Sequence, residues 1–181
     1  MRFLIIGSGL MGSALAYDLA RSKGVEAVTL ADQDLNAAKN AAAKIRSTIV
    51  RPVAVDVNYF DDVISLMQGH DCVIGAVSYG YNYALSKAAI EVGAHFCDLG
   101  GNNEVVQRQL SLDSNAKQRN VTIVPNCGLA PGLANVLAAR GAEQFDSVES
   151  IHVRVGGLPR HPKPPLNYQL VFSVEGLINE Y

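Results

Sequence analysis

The chain has no tryptophan and only three cysteines, Cys72, Cys97 and Cys127, in 181 residues. An odd number of widely spaced thiols, each beside an apolar run, excludes a disulfide framework and a CxxC metal site. It is the usage expected of reduced thiols in a cytoplasmic protein. The four histidines, His70, His95, His152 and His161, show no ligand spacing, so no metal is expected. Charge of one sign is also lacking: 15 Lys+Arg against 17 Asp+Glu give a formal net charge of −2. Basic residues are scattered from Arg2 to Lys163 and leave no footprint for a phosphate backbone, so nucleic acid is excluded as a partner. No hydrophobic run is long enough to span a membrane. The uncharged stretch 120–139 contains Pro125, Pro131 and three asparagines, and it reads as a strand, a turn and a helix start. Met1-Arg2 before Phe3-Leu4-Ile5-Ile6 imitates a signal peptide, but glycines 7, 9 and 12 break the imitation.

What is present is a hydrophobic content of 49% with 18% charged residues, enough to bury the core of one globular domain, or of one with an appendage. From residue 2 to 124, short apolar runs alternate with segments of helical period, the signature of βαβ units on a parallel sheet. Six strands are expected, at 3–6, 27–30, 52–55, 72–76, 95–97 and 122–124, most of them continuously apolar as strands buried on both faces should be. Leu35, Ala38, Ala42 and Ile45 predict a helix after the second strand, and Val106 and Leu110 predict one after the fifth. Past residue 124 the pattern changes. Pro125 to Gly132 reads as a rigid turn, 133–142 as a helix, and 147–155 as a strand with one wet face carrying Val148, Ile151, Val153 and Val155. Residues 156–165 hold four of the seven prolines, and Ser173 is a candidate N-cap for a further helix. The expected organisation is a domain at 1–124 and the beginning of a second α/β domain at 125–181.

Gly7-Ser8-Gly9-Leu10-Met11-Gly12 directly follows the first strand and opens a helix through Ala14, Leu15 and Leu19. The spacing has a mechanical reason. Gly7 makes the tight turn, Gly9 lets the backbone approach a pyrophosphate, Gly12 lets helix and strand pack closely, and the helix N-terminus supplies N–H groups to the phosphates. Asp32 ends the second strand 20 residues after Gly12, where a carboxylate accepts the ribose hydroxyls of an adenosine. The combination predicts a Rossmann-type doubly wound sheet with a dinucleotide site. Gln33 and Asp34 follow Asp32 where an NADP site usually offers an arginine, so the expected cofactor is NAD, ahead of NADP.

Other candidates follow the strand ends. Asp56 after the third strand is a candidate to meet adenine or to cap a helix, and Ala76 and Val77 after the fourth should line the ribose and nicotinamide path. Asp98, at the end of the fifth strand, is the candidate acid/base or ammonium-binding carboxylate, with turn formation ahead of Gly100-Gly101 as the structural alternative. Tyr79 stands in a cluster with Tyr81 and Tyr83 and is the second catalytic candidate, with loop packing as its alternative. Cys127 has no activating neighbour in sequence and is expected to be inert.

Taken together, Gly7 to Gly12, Val28-Thr29-Leu30-Ala31-Asp32, Phe96 to Gly101, Gly128-Leu129-Ala130-Pro131-Gly132, and the run from Val155 through Pro164-Pro165-Leu166-Asn167-Tyr168 to Leu177 resemble the saccharopine dehydrogenase superfamily, most closely its short branch with lysine 6-dehydrogenase. The resemblance implies an NAD(P)-binding domain followed by a substrate domain that also dimerises. It implies hydride exchange between nicotinamide and the CH–NH group of a small amino-acid or imine substrate. Family members are longer, which predicts that most of the substrate domain is missing from this chain. A different class, a non-catalytic NAD-sensing regulatory module, shares the glycine motif and acidic residue but has no use for the Gly-Leu-Ala-Pro-Gly turn.

Overall fold

The computed structural model describes residues 1–156, 159–165 and 167. Six strands, β1 (Arg2–Ile6), β2 (Ala27–Asp32), β3 (Val50–Ala54), β4 (Cys72–Gly75), β5 (His95–Asp98) and β6 (Ile123–Val124), form one parallel sheet in the order β3-β2-β1-β4-β5-β6. The helices are α1 (Leu10–Leu19), α2 (Leu35–Ile45), α3 (Phe60–Met67), α4 (Asn82–Val92), α5 (Asn103–Leu110), α6 (Asp113–Gln118) and α7 (Leu133–Ala142). This is the doubly wound Rossmann-type arrangement expected from the sequence. Both faces of the central strands are buried. Leu4, Ile6, Val73 and Phe96 pack on Val63 and Met67 of α3 and on Leu85, Ala88 and Ala89 of α4. On the opposite face Ile5, Val28 and Leu30 pack on Ala16 of α1 and on Ala41 and Ile45 of α2. Each such large aliphatic or aromatic side chain contributes about 1.5–3 kcal/mol on burial, so the two half-cores fix the strand register.

Local chemistry sets the element ends. The Asp34 carboxylate accepts from the Asn36 amide at 2.8 Å and starts α2, which ends at Arg46 in the left-handed region (φ 54°). Asn102 accepts from the Val105 amide at 3.1 Å and starts α5. Pro52 sits on β3, an edge strand, where its missing N–H leaves no gap in the ladder. In register, Ile6 of β1 pairs with Ala31 and with Gly75, and Gly75 pairs with Asp98. The carboxyl ends of β2, β1, β4 and β5 therefore open together, and the strand order reverses between β1 and β4, where a crevice must form.

The helix expected after β5 from Val106 and Leu110 is present as α5, which ends at Leu110, and a further helix, α6, follows from Asp113. One expectation differs from what is observed. The strand expected at 147–155 is irregular backbone with Val148, Ile151, Val153 and Val155 exposed. Its alternation is real, but a strand exists only by pairing, and no strand among the described residues lies beside it. The helix expected at 133–142 is present as α7, yet none of its residues is buried, and Leu133, Val136 and Leu137 are more than half exposed. Ser173 and the run from Tyr168 onward lie outside the described residues.

Candidate functional site

The turn after β1 is built around Gly7, whose φ of 105° is left-handed and whose amide donates to the Ala31 carbonyl at 2.8 Å. A Cβ there would strike the Ala76 carbonyl, and a Cβ on Gly12 would strike the Gly7 carbonyl, so both positions require glycine for close backbone approach. Gly9 differs. It precedes α1 in extended conformation, and a Cβ built on it meets nothing within 4 Å. The missing side chain at Gly9 therefore relieves no contact inside the protein. It leaves room outside, at the N-terminus of a ten-residue helix whose first amides face an anion favourably.

Asp32 faces this turn. Its Oδ2 accepts from the Ser8 amide at 2.8 Å and from the Ser8 hydroxyl at 2.7 Å, and its Oδ1 accepts from the Asp34 amide at 3.0 Å. Burial alone would raise the pKa of this carboxyl; the hydrogen bonds from Ser8 and Asp34 outweigh burial and hold it below 3.8. Asp32 is thus a fixed anion at neutral pH. It lines a cavity of about 290 Å³ together with Gly7 and Gly9 of the turn and Gln33 beyond β2. Val55, Val57 and Asn58 form the wall after β3, and Ala76, Val77 and Tyr81 the wall after β4. Among the described residues, no lysine or arginine lines it.

Of the expected cofactor residues, Gly7, Gly9, Asp32, Ala76 and Val77 line this cavity, while Ser8 lies behind it as the partner of Asp32 and Gly12 packs beneath the turn. Leu10 and Met11 are exposed on the first turn of α1. Asp56 does not line the cavity: its Oδ1 accepts both the amide and the side-chain nitrogen of Asn58, at 2.9 and 2.8 Å, in an Asx turn. It positions Asn58, which also accepts from the Tyr81 hydroxyl at 3.1 Å across the crevice. Val57 and Asn58 were not foreseen. The alternation of Val55 and Val57 at the end of β3 was the available signal.

Asp98 is completely buried and lies outside the cavity. Its Oδ1 accepts from the Gly100 amide at 2.7 Å and the Asn126 amide at 3.4 Å, and its Oδ2 from Gln109 Nε2 at 2.6 Å. Gln109 Nε2 also donates to Ser86 Oγ at 2.9 Å. The carboxylate thereby ties the turn after β5 to the turn after β6. Tyr79 is half-buried against Gly101, also outside the cavity. Cys72 and Cys97 lie on the neighbouring strands β4 and β5, and their mutual influence lowers the first thiol's pKa and raises the second's, while burial raises that of Cys127. Raised thiols are poor nucleophiles. Among the described residues no group of His, Cys, Asp and Glu is arranged to hold a metal, and no helix is long and apolar enough to cross a membrane.

Comparison with known proteins agrees with this geometry. Residues 3–124 match the family model described as saccharopine dehydrogenase NADP binding domain. The chain is 26% identical over 181 residues to saccharopine dehydrogenase [NADP(+), L-glutamate-forming] of Pyricularia oryzae, covering 97% of this chain and 39% of that protein. It is also 26% identical to the mitochondrial alpha-aminoadipic semialdehyde synthase of Mus musculus, covering 98% of this chain and 19% of that one. Apo saccharopine dehydrogenase (L-Glu forming) from Saccharomyces cerevisiae superposes with a TM-score of 0.67 at 20% identity, covering 79% of this chain and 31% of the other, a likeness of fold. The chain therefore spans well under half the length of these relatives. With its larger part, residues 3–124, matched by the family model, the chain belongs to the saccharopine dehydrogenase family.

Proposed function

We propose that the crevice between β1 and β4 binds a pyridine dinucleotide, NAD(H) in preference to NADP(H), and that the protein exchanges hydride with the CH–NH group of an amino-acid or imine substrate. The observation that carries the cofactor reading is Asp32, a pinned carboxylate in a cavity lined, among the described residues, by no lysine or arginine. A ribose hydroxyl donates to such a group, whereas a 2′-phosphate is repelled by it. The matched family model and the Pyricularia oryzae relative both carry NADP in their descriptions. Cofactor choice rests on the residues at the end of β2, and in this chain they are Asp32-Gln33-Asp34.

Gly7, Gly9 and the first turn of α1 hold the pyrophosphate in this reading, Asp32 the adenosine ribose, and Ala76 and Val77 the path to the nicotinamide. The cofactor supplies the hydride chemistry, and the chain's own residues bind and orient. Asp98 acts as a positioning residue: buried and engaged by Gly100, Asn126 and Gln109, it shapes the two turns that flank the crevice. Tyr79 packs against Gly101 in one of those turns. The substrate class follows from the saccharopine dehydrogenase relatives. We assign residues 1–124 to the cofactor domain and residues from 125 onward to the start of a substrate domain. The exposed apolar residues of α7 and of 147–155 serve association of two copies. Titrating NADH and NADPH separately into the protein by calorimetry tests the cofactor reading; NADPH binding as tight as NADH contradicts it.

A further inference from the structure

Ser8 is buried (7% exposed) and spends both of its donors on one oxygen of Asp32. Its own carbonyl is held by the Ser13 hydroxyl at 2.8 Å, so the residue is fixed from α1 on one side and fixes β2's last residue on the other. The Asp34 amide holds the second carboxylate oxygen at 3.0 Å. Rotating the Asp32 carboxylate out of the cavity would break bonds at both oxygens together. A site that admits a 2′-phosphate must move such a carboxylate aside or neutralise it, because two anions in contact in a partly buried crevice repel each other.

We propose that Ser8 is a specificity-determining residue: its hydroxyl locks the Asp32 carboxylate in the cavity and thereby sets the discrimination against NADP(H). The inference rests on the dinucleotide reading above and goes beyond it in placing the selectivity in a side chain outside the cavity wall. Ser8 acts through Asp32. The motif requires only that position 8 permit a tight turn, and alanine or glycine would satisfy the turn. A hydroxyl is needed only for the carboxylate.

The test compares NADH and NADPH dissociation constants for the wild type, Ser8→Ala and Ser8→Thr, with circular dichroism as the control for folding. If the alanine variant does not fold, Ser8→Gly, which also keeps the amide donor and loses the hydroxyl, replaces it. The expected result is that Ser8→Ala narrows the NADH-to-NADPH affinity ratio by about tenfold, the equivalent of one hydrogen bond to a charged group. Part of that change comes from tighter NADPH binding, and Ser8→Thr keeps the wild-type ratio. An unchanged ratio in Ser8→Ala, or equal weakening of both cofactors, overturns the role of Ser8 and leaves the NAD reading standing. A wild type without preference for NADH overturns both.

Discussion

Replacing Asp98 by alanine removes a carboxylate with 0% exposure that holds donors from three separate places in the chain. The Gly100 amide at 2.7 Å and Gln109 Nε2 at 2.6 Å are the short bonds, and the Asn126 amide at 3.4 Å is marginal. Leaving a buried donor unsatisfied costs about 1–3 kcal/mol, so two such donors put the loss at roughly 2–6 kcal/mol, reduced by relief from burying a charge. We expect about 3 kcal/mol, which for a domain of this size lowers the melting temperature by about 6–12 °C. Asp98→Asn should cost only about 1 kcal/mol. Its oxygen still serves Gly100, and its new amide group can donate to Gln109 Oε1, an acceptor now buried without a partner, once the Gln109 amide turns over. Urea denaturation followed by circular dichroism measures both variants. Asp98→Ala losing under 1 kcal/mol, or Asp98→Asn losing as much as alanine, would refute the positioning role.

Further outcomes follow from the same geometry. Gly9→Val should fold normally and lose NADH binding, because its side chain enters open space at the helix N-terminus, whereas Gly12→Val should fail to fold because its Cβ meets the Gly7 carbonyl; calorimetry and circular dichroism separate the two effects. His70 is pushed below its ordinary 6.5 by burial, with Arg2 adding to the effect. The unfolded chain therefore takes up a proton first, and stability should fall as pH drops below about 6.5; His70→Gln should flatten that dependence in pH-resolved thermal melts. Association through α7 and 147–155 should appear as a dimer in light scattering and be lost in Leu137→Glu, since Leu137 is 62% exposed; a monomeric wild type refutes that surface assignment.

The sheet was legible because a buried parallel strand needs continuous apolar sequence, as in Phe3-Leu4-Ile5-Ile6, and each of the six strands expected between residues 2 and 124 is observed to within two residues. The turn after β1 was legible because glycine spacing encodes backbone contacts, and the contacts of Gly7 and Gly12 are there. Side-chain partnerships were not. Asp56 and Asp98 stand at strand ends facing the ligand side of the sheet, yet Asn58 engages the first, and Gly100 and Gln109 engage the second. Gln109 reaches Asp98 from eleven residues away on α5, a distance that no local pattern records. Residues 147–155 mislead for the opposite reason: alternation is local, while strand formation depends on a neighbour.

The location of the cofactor is the claim on which the rest depends. Backbone amide spectra of isotopically labelled protein, recorded as NADH is added, test it directly. The account predicts that the largest shifts fall on Gly7 to Gly12, Gln33, Asn58 and Val77, and that Gly9→Val abolishes them. Shifts concentrated on α7 or on the turn from Pro125 to Gly132, with Gly7 to Gly12 unmoved, would contradict it.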